Sequence, residues 1–350
     1  MMNKTLKDIS WLVTEEEYRR DHALSYSTLA RYEREGFNNL GNLFTKVESP
    51  SLTLGSIVDT LITGTDEEFN ERFMVAELNN ELSDTVATIV KKLFSVYSNK
   101  YNSLTAISED EIISVIEDIQ WNNHWLPRTR VKKIKEDGAG YYGLLYLANG
   151  RTIISTYIYN DALKMVDALR TSPATKFYFE PNNMFDDRIQ RFYQLKFKAT
   201  FDDVDYRCMA DLIVVLNDKK LIIPVDLKTS SSKEWDFAHS FDKWCYMIQG
   251  KLYANIIRDN ISKDDYFKDY TIAPYKFIVV NRYSLTPLVW DFEDTFTTGD
   301  LIYGKNSQYK ARDPFVIGKE LQHYLKDSPK VPDGIFLDKP NSLRQWLNKL

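Results

Sequence analysis

Cysteine is scarce in this sequence: Cys208 and Cys245 are its two, too few for a four-cysteine zinc or iron–sulfur site. A reducing, cytosolic setting fits that count better than a disulfide scaffold, with a single bridge left open. Long hydrophobic runs are missing too. No stretch approaches the roughly 18 apolar residues of a membrane span, and Met1 to Ser10 lacks the apolar core of a signal peptide. A soluble, intracellular protein is the expectation. Nor is there an excess of basic charge. With 45 Lys and Arg against 50 Asp and Glu, the formal net charge is -5. That excludes a uniformly basic nucleic-acid coat but not a local basic groove, because a metal site is itself acidic. Repeats and low-complexity segments are also absent.

What is present suits a globular protein. The 350 residues suffice for one large domain or two ordinary ones, and 43% hydrophobic with 27% charged residues is a soluble composition. Aromatics reach 14%, including 22 tyrosines, ample for a core and for stacking surfaces.

The most informative stretch runs from Met209 to Ser230. Leu212 to Leu216 and Leu221 to Val225 are short β-branched and aliphatic runs, read as buried strands joined by a tight polar turn, Asn217 to Lys220. Against that apolar background stand Asp211, Asp226 and Lys228. Residues 226 and 228 share a face of an extended strand, and a hairpin brings Asp211 near Asp226. Two carboxylates can hold a hard divalent cation such as Mg²⁺. The lysine can orient a water or stabilise charge on a phosphorane-like transition state. The plainer reading is a strand cap beside a solvated strand end.

Other segments offer candidates of their own. Leu54, Ile57, Val58, Leu61 and Ile62 form one apolar helical stripe. Asp59 sits beside it, one turn beyond Gly55, as surface decoration or as a third metal ligand. Arg188 to Thr200 alternates as a half-exposed strand, with a hairpin turn at Phe201 to Tyr206. Trp235 to Arg258 reads as a long helix, whole or in two parts, where Gln249 and Tyr253 are stacked four apart. Gln249 can hold a metal-bound water, a phosphate or the lysine, and Tyr253 can reach the same phosphate. Tyr275 to Tyr283 is a further strand, and Leu285 to Phe292 extends the sheet.

Residues 66–180 carry mostly helical patterns and enclose the densest basic run, with Arg128, Arg130, Lys132, Lys133 and Lys135. Tyr141, Tyr142 and Tyr146 follow. Such a run suits a single-stranded nucleic-acid path or simply one solvated helix face with Val131 and Ile134 turned inward. Ser25 to Tyr32 reads as a packed helix behind a capping serine, with a substrate contact by Tyr26 or Arg31 as the minor alternative.

A helix with Asp59, a helical insertion, three strands bearing Asp211 and Asp226-x-Lys228, a helix with Gln249 and Tyr253, then a strand: this order resembles the PD-(D/E)XK nuclease superfamily. Within it, the chain is similar to the exonuclease VIII (RecE) and RecB-nuclease group of bacteria and phages, over the span from Ser25 to Tyr283. The resemblance implies an α/β (α+β) fold. Its restriction-endonuclease-like core is a central mixed sheet flanked by helices, αβββαβ. It also implies a single nuclease domain over 1–350, with a helical insertion at 66–180 and a C-terminal helical extension at 293–350. By the same resemblance, Asp211 and Asp226 bind Mg²⁺ or Mn²⁺ with the Leu227 carbonyl as a further ligand. The family lysine falls on Lys228, and the family Gln-x-x-x-Tyr on Gln249 and Tyr253.

Two positions depart from the pattern. Asp59 stands where the RecB-like group usually has His, and a carboxylate still suits Mg²⁺. Ala210 stands where the family proline precedes the first acid. The resemblance implies a 5′–3′ exodeoxyribonuclease of phage or bacterial recombination, in the cytoplasm of a bacterium or phage-infected host. DNA is then the partner, with a single-strand annealing or recombination protein and a homo-oligomer as further ones and no membrane. The residue chemistry alone implies only metal-assisted phosphodiester hydrolysis. A structure- or sequence-specific endonuclease on the same core and a non-catalytic DNA-binding protein with a degenerate site are the alternatives.

Overall fold

The computed structural model describes residues 4–45, 49–77, 82–292, 294–298, 301–304 and 310–327. The sequence also suggests a helix near Ser342 to Leu350, behind breakers at Pro329 to Pro332 and Asp338 to Asn341, and all of these lie outside the described residues. The chain divides into two compact units, Met1–Asp59 with Met165–Leu350, and Thr60–Lys164.

The first unit holds helix α1 (Tyr26–Glu35), helix α2 (Pro50–Thr63) as far as Asp59, and strands β1 (Ile189–Phe201), β2 (Val204–Leu216) and β3 (Leu221–Ser230). Helix α3 (Tyr246–Ser262), strands β4 (Tyr275–Asn281) and β5 (Leu288–Phe292) and helix α4 (Pro314–Asp327) follow. The result is a mixed α/β fold around an open sheet of order β1-β2-β3-β4-β5. Strands β1 to β3 pair antiparallel, β3 with β4 parallel, and β4 with β5 antiparallel.

Local chemistry explains the hairpins. Asp202 and Asp203 both take positive φ (49° and 63°), the pair of left-handed residues that a tight two-residue hairpin demands. The β2–β3 turn closes at Asn217–Lys219, with Lys220 at φ 47°. Leu212, Ile213, Val214, Val215, Ile222, Ile223 and Val225 are all buried. Such side chains contribute about 1.5–3 kcal/mol each, so the pair gains on the order of 10 kcal/mol, more than the several kcal/mol that burying one ion costs. The strands can therefore carry Asp226 into the interior.

Pro224 falls inside β3, where a missing N–H normally argues against a central strand. Thr271–Ile272 pairs parallel with Leu221 and Ile222, and β4 takes over at Val225. Pro224 lies in the gap between these two neighbours, where its missing N–H leaves no ladder bond unmade.

The expected long helix is indeed in two parts, Phe237–Lys243 and α3, broken at Cys245 (φ 56°). Helix α3 then reaches the sheet at Gly250, where a Cβ would stand 2.5 Å from the Phe292 ring. Helix α4 is tied down by buried charge. Arg312 pairs with Glu33 at 2.8 Å and with Glu320, Tyr32 donates to Glu320, and Lys251 meets Asp313 at 2.7 Å.

Within the C-terminal extension the described residues hold the helix α4, preceded by strands that the helical reading did not foresee. Before α4, Asp294–Thr298, Leu301–Gly304 and Lys310–Arg312 form a three-stranded antiparallel sheet. The runs Thr295 to Thr298 and Leu301 to Tyr303 are strand-forming residue types.

In the second unit, helices Asp84–Tyr97, Glu109–Ile119 and Pro127–Ala148 pack around Ile89, Leu93, Ile112, Ile116 and Ile134. Phe73–Ala76 pairs in parallel with Thr152–Ser155, four residues each and too short for a periodic signal. No helix among the described residues is long and apolar enough to cross a membrane.

Candidate active site

Antiparallel pairing of β2 with β3 runs to Leu212↔Val225, so Asp211 and Asp226 come next in register and face one another. Beyond that pair the side chain replaces the ladder: Leu227 N–H donates to Asp211 Oδ2 at 2.9 Å. Asp226 is 1% exposed. Its Oδ1 accepts from Gln249 Nε2 on α3, and its Oδ2 lies 2.5 Å from Lys228 Nζ. The ammonium also sits 4.8 Å from the Tyr246 ring centroid. Asp226 thus has a hydrogen bond from Gln249 on one oxygen and an ion pair with Lys228 on the other.

A fourth polar residue was not legible in the sequence. Gln194 Nε2 donates to both oxygens of Asp59, at 2.9 and 3.0 Å. It lies in β1 between Tyr193↔Leu212 and Leu195↔Ala210, hence opposite Asp211, and its φ is 53°. That conformation has a structural consequence. Phe192 and Leu195, and likewise Ala210 and Ile213, pack into the same core cluster. Residues three apart share a face only where the two-residue alternation slips by one. Both strands slip at the Gln194–Asp211 pair. The signal was arithmetical: a turn centred on Asp202–Asp203 sets residue 194 against residue 211.

Gly55 is a point of close approach between helix and strand. A Cβ there would stand 3.3 Å from Thr229 Oγ1, next to Lys228 on β3. Helix α2 thereby lies close to the strand that carries the site.

The charges are strongly interdependent. Burial first, then the negative charges of Asp226 and Asp59, push the Asp211 carboxyl well above its usual range, against Lys228 and the Leu227 N–H. For Lys228, burial favours the neutral amine. Burial is the largest single influence, but Asp226, Tyr246 and Asp211 together outweigh it and hold the ammonium above its ordinary value. Lys228 is therefore a cation at neutral pH, suited to orienting and stabilising rather than to accepting a proton.

Three buried polar atoms around Asp226 lack a hydrogen-bond partner: Asp226 Oδ2, Gln249 Oε1 and the Tyr275 hydroxyl. The Lys228 ammonium is close to the first but poorly aligned. Orphans of this kind gather where a water or ion belongs, and an all-oxygen donor set under mutual repulsion suits a hard divalent cation. The chemistry of the set fits such an ion. The side chains as they stand are turned to protein donors, and among the described residues no three His, Cys, Asp or Glu side chains converge as a ready-made metal cage.

The remaining candidates separate clearly. Tyr253 is 7% exposed and edge-on to Tyr275, so it is a packed core ring rather than an open phosphate contact. Tyr26 donates to the Trp244 carbonyl at 2.7 Å. Arg31 donates to the carbonyls of Asn42, Leu43 and Thr45 and holds the chain after α1.

The basic run is a helix face, as its plainer reading had it. Val131 and Ile134 are buried, Lys132 and Lys133 pair with Glu136 and Asp137, and Lys135 donates to the Thr105 carbonyl. Arg128 is exposed. Arg130 is a correction. It is buried, with its guanidinium directed to the Trp121 carbonyl and Asn123, because its helix position faces the neighbouring helices. Tyr142 is likewise core, donating to the Tyr101 carbonyl.

No family model and no curated protein matches the chain. Among solved structures, that of a "putative exonuclease" from Eubacterium rectale is similar over 93% of this chain and 88% of its own, with 13% identity and a TM-score of 0.41. A likeness that distant fixes neither fold nor activity.

Proposed function

We propose that the chain is a metal-dependent DNA nuclease on a PD-(D/E)XK, restriction-endonuclease-like core, and that it acts as a 5′–3′ exodeoxyribonuclease. One observation carries the reading. Asp211, Asp226, Lys228 and Gln249, from two interior strands and a helix, come together, with Asp59 close enough to perturb Asp211. A structural role alone does not call for mutually repelling acids around buried, unpartnered oxygens.

The residues would divide the work as follows. Asp59, Asp211, Asp226 and the Leu227 carbonyl would hold Mg²⁺ or Mn²⁺, which supplies phosphodiester polarisation and a water of lowered pKa. Lys228, held as an ammonium, orients the attacking water and stabilises charge developing on the phosphate oxygens. Gln249 fixes the Asp226 carboxylate. Exonuclease polarity and a recombination role come from the family resemblance alone.

Digestion of 5′- and 3′-labelled linear duplexes beside closed circles, with Mg²⁺, tests the reading. Release of label from 5′ ends with circles left intact is the expected result. Nicked circles would replace exonuclease by endonuclease. The rival reading, a DNA-binding module with a degenerate site, draws on the absence of a ready-made three-ligand cage among the described residues. It predicts no cleavage of any substrate with any divalent ion.

Gln194 supplies a more local test. Removing the partner that orients a metal ligand typically costs about 10–100-fold in affinity. Gln194→Leu is expected to weaken Mn²⁺ binding by that factor in isothermal titration. An unchanged isotherm removes Gln194, and with it the orienting of Asp59, from the site.

A further inference from the structure

Trp235, Trp244 and Tyr283 are large rings left in solvent, 75, 42 and 69% exposed. Each carries a cation. Lys233 Nζ lies 4.9 Å from the Trp235 centroid, Lys243 Nζ and Arg34 Cζ each lie 5.2 Å from that of Trp244, and Arg282 Cζ lies 5.8 Å from that of Tyr283.

The loops that carry Trp235 and Tyr283 meet beyond the end of β3, two residues past Lys228. The loop with Trp235 leaves β3 just after Ser230, and Arg282 N–H donates to the Ser230 carbonyl at 2.9 Å. Ser284 Oγ donates to the Glu234 carboxylate, and Asn281 Nδ2 to the Ser232 carbonyl, so the Trp235 and Tyr283 loops are joined. Trp244 is tied to Tyr26 through its carbonyl and stands two residues before Tyr246, the ring beside Lys228.

We propose that these three rings are a stacking platform for a single strand of nucleic acid leading to the Asp211–Asp226–Lys228 site. The inference rests on the nuclease reading for its purpose, and on the surface itself for its chemistry. Rings interleaved with cations suit bases and phosphates in alternation. Asp236 and Asp242 lie in the same stretch, so charge alone does not make this a phosphate-binding face. Stacking must supply most of the affinity, and stacking on an exposed ring requires an unpaired base.

The resident cations do not block that use. A cation–π contact at an exposed site is weaker than a base stacked on the same ring. An arriving base therefore displaces the lysine, which remains within reach of the flanking phosphate. The expected path differs from the Arg128–Lys135 run, where Arg130 is buried and Lys132, Lys133 and Lys135 have partners within the protein.

The test is binding of a fluorescein-labelled oligothymidine to the full chain in EDTA, so that no cleavage intervenes. Anisotropy and tryptophan quenching are read together. Trp235→Ala and Tyr283→Ala, both highly exposed and expected to fold, should each weaken binding about tenfold. A duplex of equal length should bind less tightly and ignore both changes. Equal affinity of both ring variants overturns the platform, and so does equal loss with heparin, which has charge but no bases. If the oligonucleotide binds as expected and no metal yields hydrolysis, the platform stands and the nuclease reading falls. If hydrolysis occurs while the ring variants bind and cut normally, the platform alone falls.

Discussion

Asp226→Asn is expected to lower phosphodiester hydrolysis by about 10³-fold or more, with the fold intact. Charge stabilisation in a water-poor site is among the largest single contributions to catalysis, and groups that act as a unit lose nearly everything together. Asparagine keeps the volume of the side chain and an oxygen for the Gln249 amide. What disappears is the negative charge. Lys228 loses the carboxylate at 2.5 Å that holds its ammonium in place, and a divalent ion would lose one of its anionic donors. The measurement is a single-turnover rate on labelled duplex, with circular dichroism and melting as controls for the fold. A variant within tenfold of the unmodified chain would remove Asp226 from the chemistry.

Asp211 leads to the second large effect, one on stability. Its folded carboxyl is raised by burial and by the charges of Asp226 and Asp59, whereas the unfolded value is about 3.9. Between those two values the folded state binds more protons than the unfolded state, so stability falls as pH rises through that window. The metal-free protein should therefore melt at a higher temperature near pH 4.5 than Asp211's contribution allows at pH 7.5, after other groups are subtracted with the variant. Asp211→Asn removes the charge and can still accept from Leu227 N–H. In EDTA at pH 7.5 it should raise Tm by several degrees, an increment that shrinks towards pH 4. Added Mn²⁺ should raise Tm of the unmodified chain and leave the variant unmoved. A variant that melts below the unmodified chain at pH 7.5, or responds equally to Mn²⁺, would falsify the picture of repelling acids awaiting a cation.

The two experiments pull in opposite directions, which makes them informative together. A carboxylate kept only for the fold should cost stability when neutralised. One that opposes the fold in the absence of a counter-ion should give stability back. The second behaviour, at a site whose neighbouring acid is needed for hydrolysis, is the pattern of strain retained for function.

The amino-acid sequence by itself determined the β2–β3 hairpin and its charged edge. Alternation, a short polar turn and a two-residue spacing act between near neighbours, so Asp211, Asp226 and Lys228 converge by local geometry. Gln249 stood out only through the family resemblance, since four-residue spacing on a helix is common and names no partner. Tertiary structure alone decided the rest. Gln194 reaches Asp59 across 135 residues, through a positive φ and a matched slip in two strands that no periodic pattern encodes. Tyr253 and Arg130 carry residue types that can serve a phosphate, yet packing turned both inward. Side-chain chemistry is written residue by residue, but which polar group faces water and which faces a carboxylate depends on long-range register, and that is fixed only when the sheet and its helices close on one another.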